Sequence, residues 1–249
     1  MPADGGSFAE RAAHPNVMRA PRGPVTIATV KEDAMARGRA GTAPATAPTP
    51  VVLRRLAACT LCAERFAATI TRHSPRPIFQ IDPRARVLVA SQAPGNRAHQ
   101  SGLPFDDPSG KRLRAWLGLE PERFYDPARL AIAPMAHCFP GYDAKGSDLP
   151  PPPICAATWH DALRAMLPEI RLTLVIGQYA QRRYLGPPPK GGVTQRVKAL
   201  HGAIARGETP DVVALPHPSW RNTAWLKRNP WYEAEVLPWL QARVAALLA

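Results

Sequence analysis

The chain has 249 residues, 45% of them hydrophobic, and carries 32 Lys and Arg against 19 Asp and Glu, a formal net charge of +13. That length supplies one large domain with ample core. The cationic excess points to a polyanionic partner, nucleic acid first, against the plain alternative of a solvated, arginine-rich surface. No apolar run reaches the about 18 residues of a membrane span. The stretch Met1-Pro2-Ala3-Asp4-Gly5-Gly6 lacks the basic and apolar regions of a secretory signal. Both point to a cytoplasmic protein with reduced thiols.

Residues 1–50 scatter Ala, Pro, Gly and Arg without an apolar period and end in Thr42-Ala43-Pro44-Ala45-Thr46-Ala47-Pro48-Thr49-Pro50, which predicts a disordered arm ahead of a domain over 51–249. Val51 to Ala58 then reads as a short helix delivering Cys59 and Cys62, and prolines at 75, 77 and 83 mark a loop. Four β-rich runs follow, at 86–90, 130–133, 172–176 and 212–215, each continuously apolar in the manner of strands buried on both faces. Helical pattern lies between them, over Gly110 to Leu117, Ala156 to Leu167 and Gln178 to Leu185, with a last stretch from Tyr232 to Leu248. Alternation of this kind predicts an α/β fold, a parallel sheet covered on two sides, with ligands beyond the carboxyl ends of its strands. Four segments emerge at those ends: Ser91-Gln92-Ala93-Pro94-Gly95, Pro134 to Cys138, Gly177-Gln178-Tyr179 and Pro216-His217-Pro218-Ser219.

The four cysteines are Cys59, Cys62, Cys138 and Cys155: one tight Cys-x-x-Cys pair, a long gap, then two more flanking a proline-rich loop. Structural zinc usually takes two short knuckles, and only one is present. A cubane [4Fe-4S] cluster tolerates dispersed thiolates and is the leading reading; zinc, and buried or disulfide-bonded cysteines, are the alternatives.

Ser91-Gln92-Ala93-Pro94-Gly95, followed by Gly102-Leu103-Pro104-Phe105, resembles the first motif of the uracil-DNA glycosylase superfamily, and His217-Pro218-Ser219 resembles the second. With four cysteines in matching order, the set resembles the iron-sulfur branch of that superfamily over about residues 53–248. The resemblance implies a three-layer α/β/α fold with a central four-stranded parallel sheet and a substrate of uracil in DNA; a monomer is expected. It further implies that the target nucleotide is everted from the duplex, at a cost of a few kcal/mol, onto Phe105 as a stacking surface. Ala93, Pro94 and Gly95 would bring backbone amides close to the base or its phosphates. His217 would meet charge developing on the base oxygen, where the bland alternative is a loop histidine satisfied by backbone. Trp220 and Arg221, with Trp225 as a further candidate wedge, and Lys227 and Arg228 would grip DNA; the alternative is aromatics in the core and solvated cations. The absence of lysine from the first motif and from beside His217 predicts a monofunctional enzyme without Schiff-base chemistry.

Two positions depart from the family pattern. Gln92 stands where the family usually offers a carboxylate, and Pro134 where it commonly offers an asparagine to read the base edge. Water activation is therefore expected to have moved to Asp106 or Asp107, with Asp107 favoured although Asp before Pro also suits a helix cap. Asn222 and Ser219 are the polar groups expected beside the base; Asn96, His99 and Gln100 are spare ones. Lys111, Arg112 and Arg114 are candidate phosphate contacts. Two other functions compete with base excision: a binder of damaged or abasic DNA that has lost the chemistry, and an unrelated cluster- or zinc-bearing regulator.

Overall fold

A computed structural model describes residues 50–249, which belong to one compact unit; the arm expected over residues 1–50 lies, but for Pro50, outside the described residues. The elements run α1 (Val51–Ala57), α2 (Ala63–Ala67), β1 (Val87–Ala90), α3 (Asn96–Ser101), α4 (Pro108–Leu117), α5 (Pro121–Phe124), β2 (Leu130–Ile132), α6 (Pro153–Ala165), β3 (Leu172–Ile176), α7 (Gly177–Leu185), α8 (Gly192–Ala205), β4 (Val212–Leu215), α9 (Thr223–Arg228) and α10 (Leu237–Leu248). The strands form one four-stranded sheet in the order β2-β1-β3-β4, every neighbouring pair parallel. All four sit where the apolar runs predict them.

Side chains alternate across the sheet, as a strand requires. Val87, Val89, Leu172, Leu174 and Leu215 face one core with Leu113 and Trp116 of α4, Val197 and Leu200 of α8, and Leu240 and Val244 of α10. Leu88 and Ala131 face the other, with Leu56 of α1 and Trp159 and Leu163 of α6. This is the expected three-layer α/β/α architecture. Among the described residues, no helix is long and apolar enough to cross a membrane.

The differences from expectation have local causes. Helix α8 was not anticipated: Gly192, Gly202 and a run of prolines at 187–189 blur its pattern, and few of its residues are buried, Arg196, Val197 and Leu200. The guanidinium of Arg196 donates to the carbonyls of Gln181 (2.8 Å), Gly186 (2.7 Å) and Pro187 (2.6 Å), closing the end of α7. The last helix begins with a π turn over Tyr232–Val236, just ahead of Pro238, whose missing N–H removes one ladder bond. The short helices α2, α3, α5 and α9 also went unpredicted; at four to six residues they carry too little periodicity to announce themselves.

Arg196→Met keeps the stem and orphans three carbonyl groups around α7. Loss of about 3 kcal/mol is expected, as for removal of a buried charge-assisted network, and a lowered urea midpoint with unchanged slope would register it.

Candidate functional site

Because every strand runs the same way, all four carboxyl ends open on one edge, where a cavity of about 750 Å³ lies. Its wall includes Ser91 to Ala98 after β1, Pro134 after β2, Gly177 and Gln178 after β3, and Pro216 to Asn222 after β4. Phe105 and Asp107, from the segment entering α4, line it as well. Of the residues singled out by sequence, Gln92, Ala93, Pro94, Gly95, Phe105, Asp107, His217, Ser219, Trp220, Arg221 and Asn222 meet here. Asp106, Lys227 and Arg228 do not: all three are exposed and none lines the cavity. Lys227 and Arg228 ride on α9, and Arg228 bonds back to Ala224.

The Phe105 wall depends on two unusual local features. Phe105 takes φ 56°, a left-handed conformation that is costly for an aromatic residue. Its carbonyl faces Gly110, where a Cβ would stand 1.7 Å from that oxygen, so only glycine lets the first turn of α4 close over the bend. Tyr125 donates its hydroxyl to the same carbonyl (3.4 Å), and Arg114 donates to Tyr125 (3.0 Å). Arg114 is thus occupied under the loop rather than free for phosphate. The Phe105 ring meets the buried Phe124 edge-on at 6.2 Å. Asp107 caps α4, its Oδ1 accepting the Gly110 amide at 2.7 Å. Its other oxygen faces Gly95, where a Cβ would lie 3.8 Å away.

The His217 loop is fixed from three sides. Gln181 donates to the carbonyl of Leu215 (2.9 Å), Asn222 to that of His217 (2.7 Å), and Arg112 to that of Ser219 (3.0 Å). Asn222 thus gives one amide N–H to the loop while lining the cavity. The Ser219 amide donates to His217 Nδ1 at 3.2 Å, so the neutral ring carries its proton on Nε2. Burial depresses the imidazole pKa, the Asp107 charge pulls it upward, and Arg221 adds to the depression. His217 is therefore a neutral donor. Pro134 offers no side-chain group, and its carbonyl accepts from His160 Nε2 at 2.8 Å.

Trp220 is 75% exposed, with the Arg221 guanidinium 5.8 Å from its ring centre. Trp225 is a different case: it bonds Thr194 (2.9 Å) and packs edge-on against Trp231 and Tyr232, so it is a wall residue, not a wedge. Sequence reasoning missed Gln181 and the role of Arg112, whose partners are backbone carbonyls without a sequence signature. It also missed Asp148, which reaches the cavity wall from the loop between Cys138 and Cys155. An acid inside a loop already noted for its cysteines was the available signal.

The four cysteines line a second hollow, together with His137, Trp159, Leu61 and Ile154. All four are free thiols. Burial, then the neighbouring thiols, pushes Cys138 up to about 12; burial first raises Cys155 to about 11 and Cys62 to a lesser degree. Both ring nitrogens of the fully buried His137 and the Trp159 Nε1 lack partners, while the His137 amide donates to Cys155 Sγ at 3.4 Å. Among the described residues no group of three or more His, Cys, Asp or Glu is arranged to hold a metal ion. The four thiols nevertheless line one hollow.

The family model described as Uracil DNA glycosylase superfamily matches residues 78–241. A solution NMR structure of a Methanosarcina acetivorans protein, provisionally assigned as a uracil DNA glycosylase, is 15% identical, with 69% of this chain and 97% of that chain covered and a TM-score of 0.39.

Gly110→Ala forces Phe105 out of its bend. A stability loss of about 1–3 kcal/mol, with altered near-ultraviolet dichroism from the displaced aromatic wall, is the expected outcome.

Proposed function

The chain belongs to the uracil DNA glycosylase superfamily, and we propose that it hydrolyses the N-glycosidic bond of an everted uracil, or a related deaminated base, in DNA without lyase chemistry. The observation that carries this is the meeting of Phe105 and His217 in one cavity of about 750 Å³, within the range of small-ligand pockets. The stacking face and the neutral donor then act on the same base. As the bond lengthens, electrons move onto the base, and His217 Nε2–H donates to its oxygen; such a preorganised donor contributes roughly 2.7–4 kcal/mol. The second oxygen of Asp107 supplies negative charge beside an oxocarbenium-like sugar. Gln92 contributes backbone: its carbonyl accepts the Ala136 amide (3.0 Å), locking the β1 loop to the segment after β2. No lysine lines the cavity among the described residues, which supports a monofunctional reaction. Trp220 and Arg221 stand at the rim to enter the gap left in the duplex, and the net charge of +13 favours the DNA backbone.

The reading includes a [4Fe-4S] cluster held by Cys59, Cys62, Cys138 and Cys155. Four cysteines from three segments, sharing one hollow with unpartnered ring nitrogens, are the donor set that supports it. Bound there, the cluster supplies structural cross-linking, because four thiolates leave no coordination position for water.

A second reading, a binder of damaged or abasic DNA, is favoured by one observation: Pro134 puts no hydrogen-bonding side chain into the wall and its carbonyl is already taken by His160. Base release from uracil, hypoxanthine, xanthine and thymine substrates separates the two. Uracil release by the parent, cut by roughly 10²–10³-fold in His217→Ala, supports the glycosylase; tight salt-dependent binding without release selects the binder.

Two further outcomes follow from the same groups. The depressed pKa of His217 means the folded state binds fewer protons than the unfolded one near the ordinary imidazole range. Its contribution to stability is complete above about pH 6.5 and declines as pH falls below that value; His217→Gln should flatten that part of the stability–pH curve. Purified parent protein should carry about four irons with inorganic sulfide, and Cys138→Ser should lose iron and lower the thermal midpoint. Stoichiometric zinc without iron would remove the cluster from this reading.

A further inference from the structure

Asp148 occupies the cavity wall without a hydrogen-bond or ion-pair partner among the described residues. Its loop is built to aim it. Asp143 Oδ1 accepts the amides of Lys145 (2.9 Å) and Ser147 (2.8 Å), Leu149 donates to Gly141 (2.8 Å), and Tyr142 and Asp148 form an antiparallel bridge. A carboxylate on so braced a turn, left unpaired, is not serving the turn. The charged groups facing it come from two other elements: Asp107 at the cap of α4 and Arg221 in the turn after β4.

Resting on the glycosylase reading above, we propose that Asp148 is the catalytic base, taking the proton from the attacking water, while Asp107 stays a fixed negative charge. The water oxygen bonds to C1′ as the C1′–N bond breaks; the bond pair leaves with the base, and the water's second proton passes to the Asp148 carboxylate and on to solvent or the departing base anion. The products are free base and an abasic deoxyribose. Three features select Asp148 over Asp107. Asp107 spends Oδ1 on the Gly110 amide, whereas both Asp148 oxygens are unclaimed. Asp148 is still more than a third exposed, so water reaches it directly. Partial burial raises its pKa, with Asp107 adding to the rise and Arg221 opposing it, which brings its basicity closer to the operating pH. Gln92, which stands at the family's usual carboxylate position, leaves that task open.

The test is single-turnover base release by the full chain on a uracil-containing oligonucleotide, comparing the parent with Asp148→Asn, Asp148→Glu and Asp107→Asn from acid to mildly basic pH. Asp148→Asn should slow release roughly 10²–10⁴-fold with substrate binding unchanged, and Asp148→Glu should recover part of the rate. Parent activity should fall as pH drops through the raised carboxyl pKa, and that fall should vanish from the residual rate of Asp148→Asn. Unchanged release in Asp148→Asn, or an acid limb that persists in it, overturns the proposal while the glycosylase reading stands. If the parent releases no base, that reading fails, and a second measurement decides Asp148. A duplex carrying a cationic pyrrolidine abasic analogue should bind more tightly than one carrying neutral tetrahydrofuran, and Asp148→Asn should lose the difference. An undiminished difference in the variant overturns the placement of this carboxylate beside the sugar.

Discussion

Every strand of the sheet points the same way, and the rest of the molecule follows from that constraint. Parallel strands cannot be joined by tight turns, so each connection is a helical crossover. The crossovers cover both faces and leave the carboxyl edge as the place where four loops meet. The strand order β2-β1-β3-β4 adds a switch point between β1 and β3, from which connections leave in opposite directions and open a crevice. The β1 loop carries Gln92 to Gly95 and the β3 end carries Gly177, which at φ 77° passes His217 with room for a Cβ 3.9 Å from its ring. The cavity is thus a property of topology before it is a property of any side chain.

Topology alone would leave these loops loose, and the structure stiffens them with polar side chains bonded to backbone carbonyls. Gln181, Arg112 and Asn222 each hold one carbonyl of the segment 215–219, and the Ser219 amide holds the imidazole itself. This matters for electrostatic catalysis. A donor that must reorient as charge develops loses much of its advantage, while one already fixed, neutral and sheltered from water keeps it. The depressed pKa of His217 and its assigned Nε2 proton are two consequences of the same enclosure.

The sheet was legible because buried parallel strands are continuously apolar, and the four runs in this chain are bounded by polar or proline-rich segments. The convergence of the loops was legible at Phe105 and His217, which line one cavity, and in the cysteines, which share one hollow. What escaped was of two kinds. Helix α8 buries only a few of its side chains and includes glycines, so propensity and period both understate it. Arg112, Gln181 and Asn222 act on backbone, and nothing in a sequence says which carbonyl a distant amide or guanidinium will find. Asp107 carries both of the readings its sequence offered: Asp-Pro is a sound capping signal and the cap is real, while the residue expected to activate water keeps its second oxygen toward the cavity. Lys227 and Arg228 lie next to the right loop in sequence but on a helix that carries them away from the cavity wall.

The segment from Cys138 to Cys155 joins the two hollows. Its ends line the sulfur site and its middle delivers Asp148 to the cavity. It is also tied to the chain that carries Cys59 and Cys62: His73 Nε2 bonds the Phe139 carbonyl at 2.9 Å, and Gly141, at φ 94°, passes so close to Thr69 that a Cβ would stand 2.9 Å from that side chain. A loop of this length is entropically cheap to lengthen but costly to aim. Anchoring its start through His73 and its turn through Asp143 limits the freedom that would otherwise let the carboxylate at 148 wander, and the proposed cluster would tie down both ends. On this view the proposed cluster influences the chemistry without touching substrate, since it shortens the free length of the loop that presents the acid. Any change that loosens the sulfur end should therefore reach the cavity through Asp148 before it reaches His217, which is held by β4 and α7 on the other side of the switch point.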